Sequence, residues 1–205
     1  MIDLRIASLI HNARNRLMPV IDRLRREGQP DAAAEIDHIG ALLGLAMTLF
    51  RQGRKSIEVF PGEVDLDEFF KELASEIKKL APLGASTELH SDLAGMPYPV
   101  WQMDYQLIQL VLLDALMNAW RHARHKVSIK MQLSDGYLCF EIRDDGDGFP
   151  AEWLAENCTV EKKSVGTGVG LTIARQVAAQ HLIQGRHGRI ELENCAGAVF
   201  RLLLP

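Results

Sequence analysis

Three stretches of this 205-residue chain put together residue types that could do chemistry. The first runs from Tyr137 to Pro150, where apolar Leu138, Phe140 and Ile142 alternate with Glu141 and Arg143 and the run ends on Asp144. Gly146 and Gly148 follow, residues that let a backbone turn sharply and approach a ligand closely. Alone, an Asp-x-Gly-x-Gly is an ordinary turn. The second stretch is helical, Leu113 to Ala123, with Asn118 set among Leu116, Met117 and Ala119 and with Asp114, Arg121 and His122 within one turn. Asparagine is a poor helix former in mid-helix, so its presence there points to a task. The third is Val165-Gly166-Thr167-Gly168-Val169-Gly170-Leu171, which opens another helix.

The elements that must position these residues follow from periodicity. Apolar residues fall at Ile6, Ile10, Ala13, Leu17, Val20 and Leu24, spaced alternately four and three. After the turn Gly28-Gln29-Pro30-Asp31 the spacing resumes at Ile36, Ile39, Leu43, Ala46 and Phe50. A repeat of this kind makes a narrow coiled-coil seam. One hairpin has too little surface for a core, so two copies forming a four-helix bundle are expected, hence a homodimer. A hairpin packed on its own second domain is the other arrangement this pattern allows. His11 lies beside the seam and shares a helix face with Asn15, one turn on.

Gln52 to Lys55 reads as a linker, dividing the chain into residues 1–53 and 56–205. A first strand is expected at Ser56–Phe60. Asp65 with Glu68 should cap a helix carrying Phe69, Leu73, Ile77 and Leu80. A short strand around Thr87–Leu89 follows, then a loop from Gly95 to Pro99, and Asp104 caps the helix that holds Asn118. Leu171 to His181 reads as a helix, with strands at Arg189–Leu192 and Val199–Leu203. The expected class is α+β: a helical hairpin, then a two-layer α/β sandwich with a mixed sheet and helices on one face.

In their order, the three stretches resemble the Asn box and the two glycine boxes of the gyrase/Hsp90/histidine-kinase/MutL ATPase superfamily, and above all the catalytic domain of two-component sensor histidine kinases. The resemblance implies an ATP site. Asn118 would ligate Mg²⁺ through its amide oxygen, a hard cation suiting an oxygen ligand, with Arg121 and His122 as polar contacts to phosphate. Asp144 would accept the adenine amino group, and Gly146 and Gly148 would let the ring lie against backbone. A carboxylate there favours adenine over guanine, whose matching position is an acceptor. Gly166, Thr167, Gly168, Gly170 and Leu171 would bring backbone N–H groups and a helix N-terminus to the phosphates, with a short lid, Ala151 to Val165, before them. Asp114 occupies the place where related branches carry a general-base glutamate; it would either activate water or a hydroxyl, or support a residue that touches the nucleotide or cap a helix.

The segment His11 to Leu17 is similar to the phosphoacceptor box of the same kinases, which makes His11 the phosphorylated residue and Asn15 the residue that positions water for dephosphorylating a partner. Two positions depart from the pattern: Asn12 replaces an acid and Arg16 a proline. An amide cannot accept the proton a carboxylate would take, and a general base is worth about 10²–10⁴-fold in rate. Weak autokinase activity and a bias toward phosphatase or relay activity are therefore expected. The implied partners are a response-regulator receiver domain and, for input, a separate sensor protein. The rival reading is an ATP-binding module that sequesters a partner, or a serine kinase resembling anti-sigma factors.

Composition agrees with a signalling enzyme of this kind. Net charge is −4, which suggests no nucleic-acid footprint, and no apolar run is long enough for a membrane segment. Cys139, Cys158 and Cys195 are odd in number and lack metal-site spacing, so reduced cysteines in a cytoplasmic protein are expected.

Overall fold

The computed structural model describes residues 57–81, 86–93, 99–154 and 169–205, together with scattered positions between 17 and 40. The chain divides into two compact units, Met1–Ile57 with Lys78–Leu80, and Glu58–Ile77 with Ala81–Pro205. In the first, the described backbone is helical at Leu17, at residues 19–21, 23–24 and 26, and again at Ala32, Ile36 and Gly40. Between them Gly28 adopts φ 73° and the Gln29 N–H reaches back to the Leu24 carbonyl at 2.9 Å, a left-handed glycine closing a helix end. His11 and Asn15 lie outside the described residues, as does the rest of the expected hairpin.

The second unit is built on a five-stranded sheet in the order β2 (Ser86–Asp92), β4 (Lys126–Ser134), β5 (Tyr137–Asp144), β9 (Ala198–Leu204), β8 (Arg189–Asn194). β2 and β4 run parallel and the other pairs antiparallel, so the sheet is mixed. Two antiparallel pairs form separate two-stranded sheets: β1 (Gly62–Asp65) with β3 (Val100–Met103), and β6 (Leu182–Ile183) with β7 (Arg186–His187). The expected strand at Ser56–Phe60 is corrected here. Residues 57–61 are irregular and the strand is β1, because the edge it pairs with, Gly62 opposite Met103 and Val64 opposite Trp101, begins only there.

Three helices cover one face of the sheet: α1 (Leu66–Leu80), α2 (Tyr105–His122) and α3 (Val169–Gln180). Asp65 caps α1 by accepting the Glu68 N–H at 3.0 Å, and Asp104 caps α2 by accepting that of Leu107 at 3.1 Å. On α1, Leu66, Phe69, Leu73 and Ile77 form one buried stripe; on α2, Ile108, Val111, Leu112, Leu116 and Ala119 do the same. Fully burying each large side chain stabilises by about 1.5–3 kcal/mol. Phe69 is the joint, meeting the Tyr105 ring at 5.1 Å and the Phe140 ring at 5.8 Å, both edge-on.

The opposite face of the sheet is charged. Glu141 on β5 is held between Arg143 and Arg201, each at 2.6 Å, and Arg201 also reaches Glu193 at 2.8 Å. Burial alone would raise the Glu141 pKa, but the hydrogen bonds from Arg143 and Arg201 outweigh it and hold the carboxyl below its usual range. Cys139, on the same face, is pushed up to about 11 by burial and by the Glu141 charge, which keeps it a thiol.

One buried histidine ties two helices together. His181, 1% exposed, follows α3 directly; its Nδ1 donates to the Val177 carbonyl at 2.7 Å and its Nε2 accepts the Asp104 N–H at 3.0 Å. That pattern requires the neutral ring. Burial lowers its pKa, against the Val177 bond and the Asp104 charge. The unfolded chain, with an ordinary histidine near about 6.5, therefore binds the proton first. Stability from this residue is complete above about pH 6.5 and is lost as pH falls through that value toward the lowered folded one. Thermal melts of wild type between about pH 7 and 5 should show a steeper loss of Tm than those of His181→Gln; equal slopes would mean that the ring does not titrate on unfolding.

Candidate functional site

The site is built around α2. This helix ends at His122, and the loop leaving β5 packs onto that end so closely that a Cβ on Gly146 would stand 2.2 Å from the His122 carbonyl oxygen. One turn back in the helix is Asn118, half-buried, whose Oδ1 accepts a hydrogen bond from Arg121 Nη1 at 3.2 Å. One further turn back is Asp114, whose carboxylate lies against the first turn of α3: a Cβ on Gly170 would stand 2.1 Å from Asp114 Oδ2. The strand-end loop, the helical asparagine and the start of α3 thus converge on one helix. Asp114 also sits where the helix dipole of α3 favours negative charge.

Asp144 closes β5. Its Oδ1 accepts the backbone N–H groups of Gly146 at 2.8 Å and Ala198 at 3.2 Å, while Oδ2 has no hydrogen bond among the described residues. One carboxylate oxygen is therefore fixed in place by the fold and the other left for a donor. The neighbouring Asp145, which sequence reading did not single out, has a structural duty. It accepts the N–H groups of Arg124, His125 and Lys126 at 2.8 to 3.0 Å, and these bonds hold its pKa down at about 2. Together with the ion pair from Arg124 to Asp147, this fastens the turn after α2 to the loop after β5. No spacing signals that duty, because the three donors are backbone groups.

The glycines serve the protein's own packing. Gly146 is required by the His122 carbonyl, Gly170 by Asp114, and Gly148 by its φ of 84° and by the Asn194 side chain. Leu171 is half-buried on α3 and His122 exposed at the end of α2. Gly166, Thr167 and Gly168 lie outside the described residues, as do residues 155–165 of the expected lid. Among the described residues no group of three or more His, Cys, Asp or Glu side chains could hold a metal ion. A separate groove between β1 and the starts of α1 and α2 includes Phe60, Phe69 and Met103. Glu63, Asp65, Glu68 and Glu72 line it, so it would repel a polyphosphate.

Residues 103–205, half of the chain, match the model of the histidine kinase-, DNA gyrase B- and HSP90-like ATPases. The chain belongs to that family. Within it the resemblance is to histidine kinases. The signal transduction histidine-protein kinase AfsQ2 of Streptomyces coelicolor is 29% identical over 113 residues, 51% of this chain and 20% of that protein. Histidine kinase P4 of Formosa agariphila is 23% identical over 187 residues, 82% of this chain and 13% of that protein. The chain thus spans a fifth or less of the curated relatives it matches. Among solved structures, full-length ShkA in complex with AMPPNP aligns with a TM-score of 0.68 at 21% identity, covering 100% of this chain and 46% of that one. The chain therefore carries an ATPase core of the histidine-kinase type. No described helix is long and apolar enough to cross a membrane.

Proposed function

We propose that this chain is the core of a histidine-kinase-like signalling protein that binds MgATP on the α2 face, phosphorylates His11 and exchanges the phosphoryl group with an aspartate of a response-regulator receiver domain. The observation that carries the ATP site is Asp144. Its Oδ1 is pinned by two backbone donors and its Oδ2 is open, on a loop seated against the helix that carries Asn118. That oxygen accepts the adenine amine, and the purine lies beside the backbone of residues 145–148. Asn118, whose amide oxygen now accepts from Arg121, would be the residue to hold Mg²⁺, and the ion would supply charge neutralisation for the phosphates. Arg121 and His122 face the phosphates, with the backbone of Gly166, Thr167, Gly168, Gly170 and Leu171 completing the cradle.

In the transfer itself an imidazole nitrogen of His11 bonds to the γ-phosphorus as the bond to the bridging oxygen breaks, and ADP leaves. With Asn12 in place of an acid, no adjacent carboxylate takes the imidazole proton, so autophosphorylation is slow and Asn15 tilts the balance toward dephosphorylating the partner. Asp114, beside the first turn of α3, either activates water or a hydroxyl or serves as a capping carboxylate there; its closeness to Gly170 supports the second role. Residues 1–53 pair two copies into a four-helix bundle, and a separate sensor protein supplies the input.

Incubation with γ-labelled ATP tests this reading. Wild type should take up label that is lost in acid, as phosphohistidine is, and His11→Ala should take up none. Equal labelling of the two disposes of His11 as acceptor. Acid-stable label would favour the serine-kinase reading instead.

A further inference from the structure

The hairpin joining β8 to β9 meets the loop after β5 at two points. One is the Ala198 N–H on Asp144 Oδ1, with Gly197 (φ 137°) beside it, where a Cβ would stand 1.9 Å from the Asp144 carbonyl oxygen. The other is Asn194. Its Oδ1 accepts the Phe149 N–H at 2.8 Å and its Nδ2 donates to the Phe149 carbonyl at 2.9 Å. A side-chain amide thus pairs with one residue's backbone as a neighbouring strand would, although 45 residues of sequence separate them. The same amide fills the space over Gly148: a Cβ there would stand 2.7 Å from its Cγ and Oδ1. Beyond the paired residue, the Phe149 ring lies against Trp153 at 6.3 Å in the single turn Ala151–Trp153.

We propose that Asn194 is a positioning residue for purine recognition: it sets the height and register of the Gly146–Phe149 backbone against Asp144, so that the base lies flat where Oδ2 can accept its amine. This rests on the adenine reading of Asp144 given above. The chemistry is specific to an amide. Only asparagine or glutamine offers an acceptor and a donor side by side, and glutamine's arm is one carbon longer. Aspartate has nearly the same shape but presents two acceptors, so the Phe149 carbonyl would face a carboxylate oxygen and the loop would lift away. Hairpin residues that serve only the turn have no such requirement.

The test compares ATP and GTP affinities of the full chain, wild type and Asn194→Asp, alongside melting temperatures. Asn194→Asp should bind ATP about tenfold more weakly, the cost of one misplaced hydrogen bond, and its preference for ATP over GTP should shrink by a similar factor. Should that variant fail to fold, Asn194→Ser, which removes the amide without adding a charge, gives the same comparison. Unchanged ATP affinity overturns the proposal. Equal weakening toward both nucleotides does so too, because it marks general damage to the fold and leaves purine choice untouched. A wild type that ignores ATP even at millimolar levels overturns the Asp144 reading itself, and that outcome is told apart by its appearing before any substitution.

Discussion

Asp144→Asn should weaken ATP binding about 100-fold while leaving the melting temperature near that of wild type. The amide oxygen can take the place of Oδ1 and go on accepting the Gly146 and Ala198 N–H groups, so the strand end keeps its anchor. The other branch becomes an NH₂ group, and a donor then faces the amine of adenine. A hydrogen bond to a charged group is worth about 1.5–3 kcal/mol, and setting donor against donor adds to that loss; about 1.4 kcal/mol is a factor of ten in affinity. Titration calorimetry with ATP and with ADP gives the answer. If both nucleotides bind the variant as they bind wild type, Asp144 does not read the base.

Gly146→Ala should lower stability by about 3 kcal/mol, the upper part of the usual range for overpacking. The added methyl would stand 2.2 Å from the His122 carbonyl oxygen and 3.0 Å from its carbon, and backbone cannot step aside as the tip of a side chain can. At about 2–4 °C per kcal/mol for a unit of this size, Tm should drop by roughly 10 °C. Nucleotide affinity should fall with it, because relief requires the Asp144 loop to move off α2. Gly62→Ala is the control, since nothing lies within 4 Å of its Cβ position, and it should be nearly silent. A Gly146→Ala protein as stable as Gly62→Ala would show that the loop is free to shift.

Much of this architecture is written in local signals. The alternation from Leu138 to Ile142 gives β5, and an aspartate at the head of each apolar stripe, Asp65 with Glu68 and Asp104 before Leu107, gives the two helix caps. The strand Lys126–Ser134 is equally plain, with Val127, Ile129 and Met131 buried in alternation, yet it forms no part of the motif-led reading, which passes from Ala123 to Tyr137. Other features depend on partners distant in the chain. β-propensity at Ser56–Phe60 points to a strand, but pairing with β3 places it at Gly62–Asp65, because strand position follows the neighbour more than the residues themselves. An asparagine in a hairpin looks like a turn residue, and nothing near Asn194 names Phe149. His181 reads as a helix end, while its partner is the N–H of the cap on another helix. The glycines are the most instructive. Their spacing suggests room for a ligand, whereas Gly146 and Gly170 are glycines because a carbonyl and a carboxylate of the protein already fill the space a side chain would need.

The strand order carries a consequence for how this unit comes to be made. The strand latest in sequence, β9, lies between β5 and β8, and its Ala198 supplies one of the two donors on Asp144. A chain emerging from the ribosome therefore carries β5 with one edge bare until some sixty further residues are made, as the pairing of Glu141 with Arg201 requires. Closure across so long a loop is slow, and an unpaired strand invites wrong neighbours in the meantime. Nucleotide cannot assist at that stage, since the carboxylate that would greet it is not yet braced. The same late strand therefore closes the bare edge of β5 and braces Asp144.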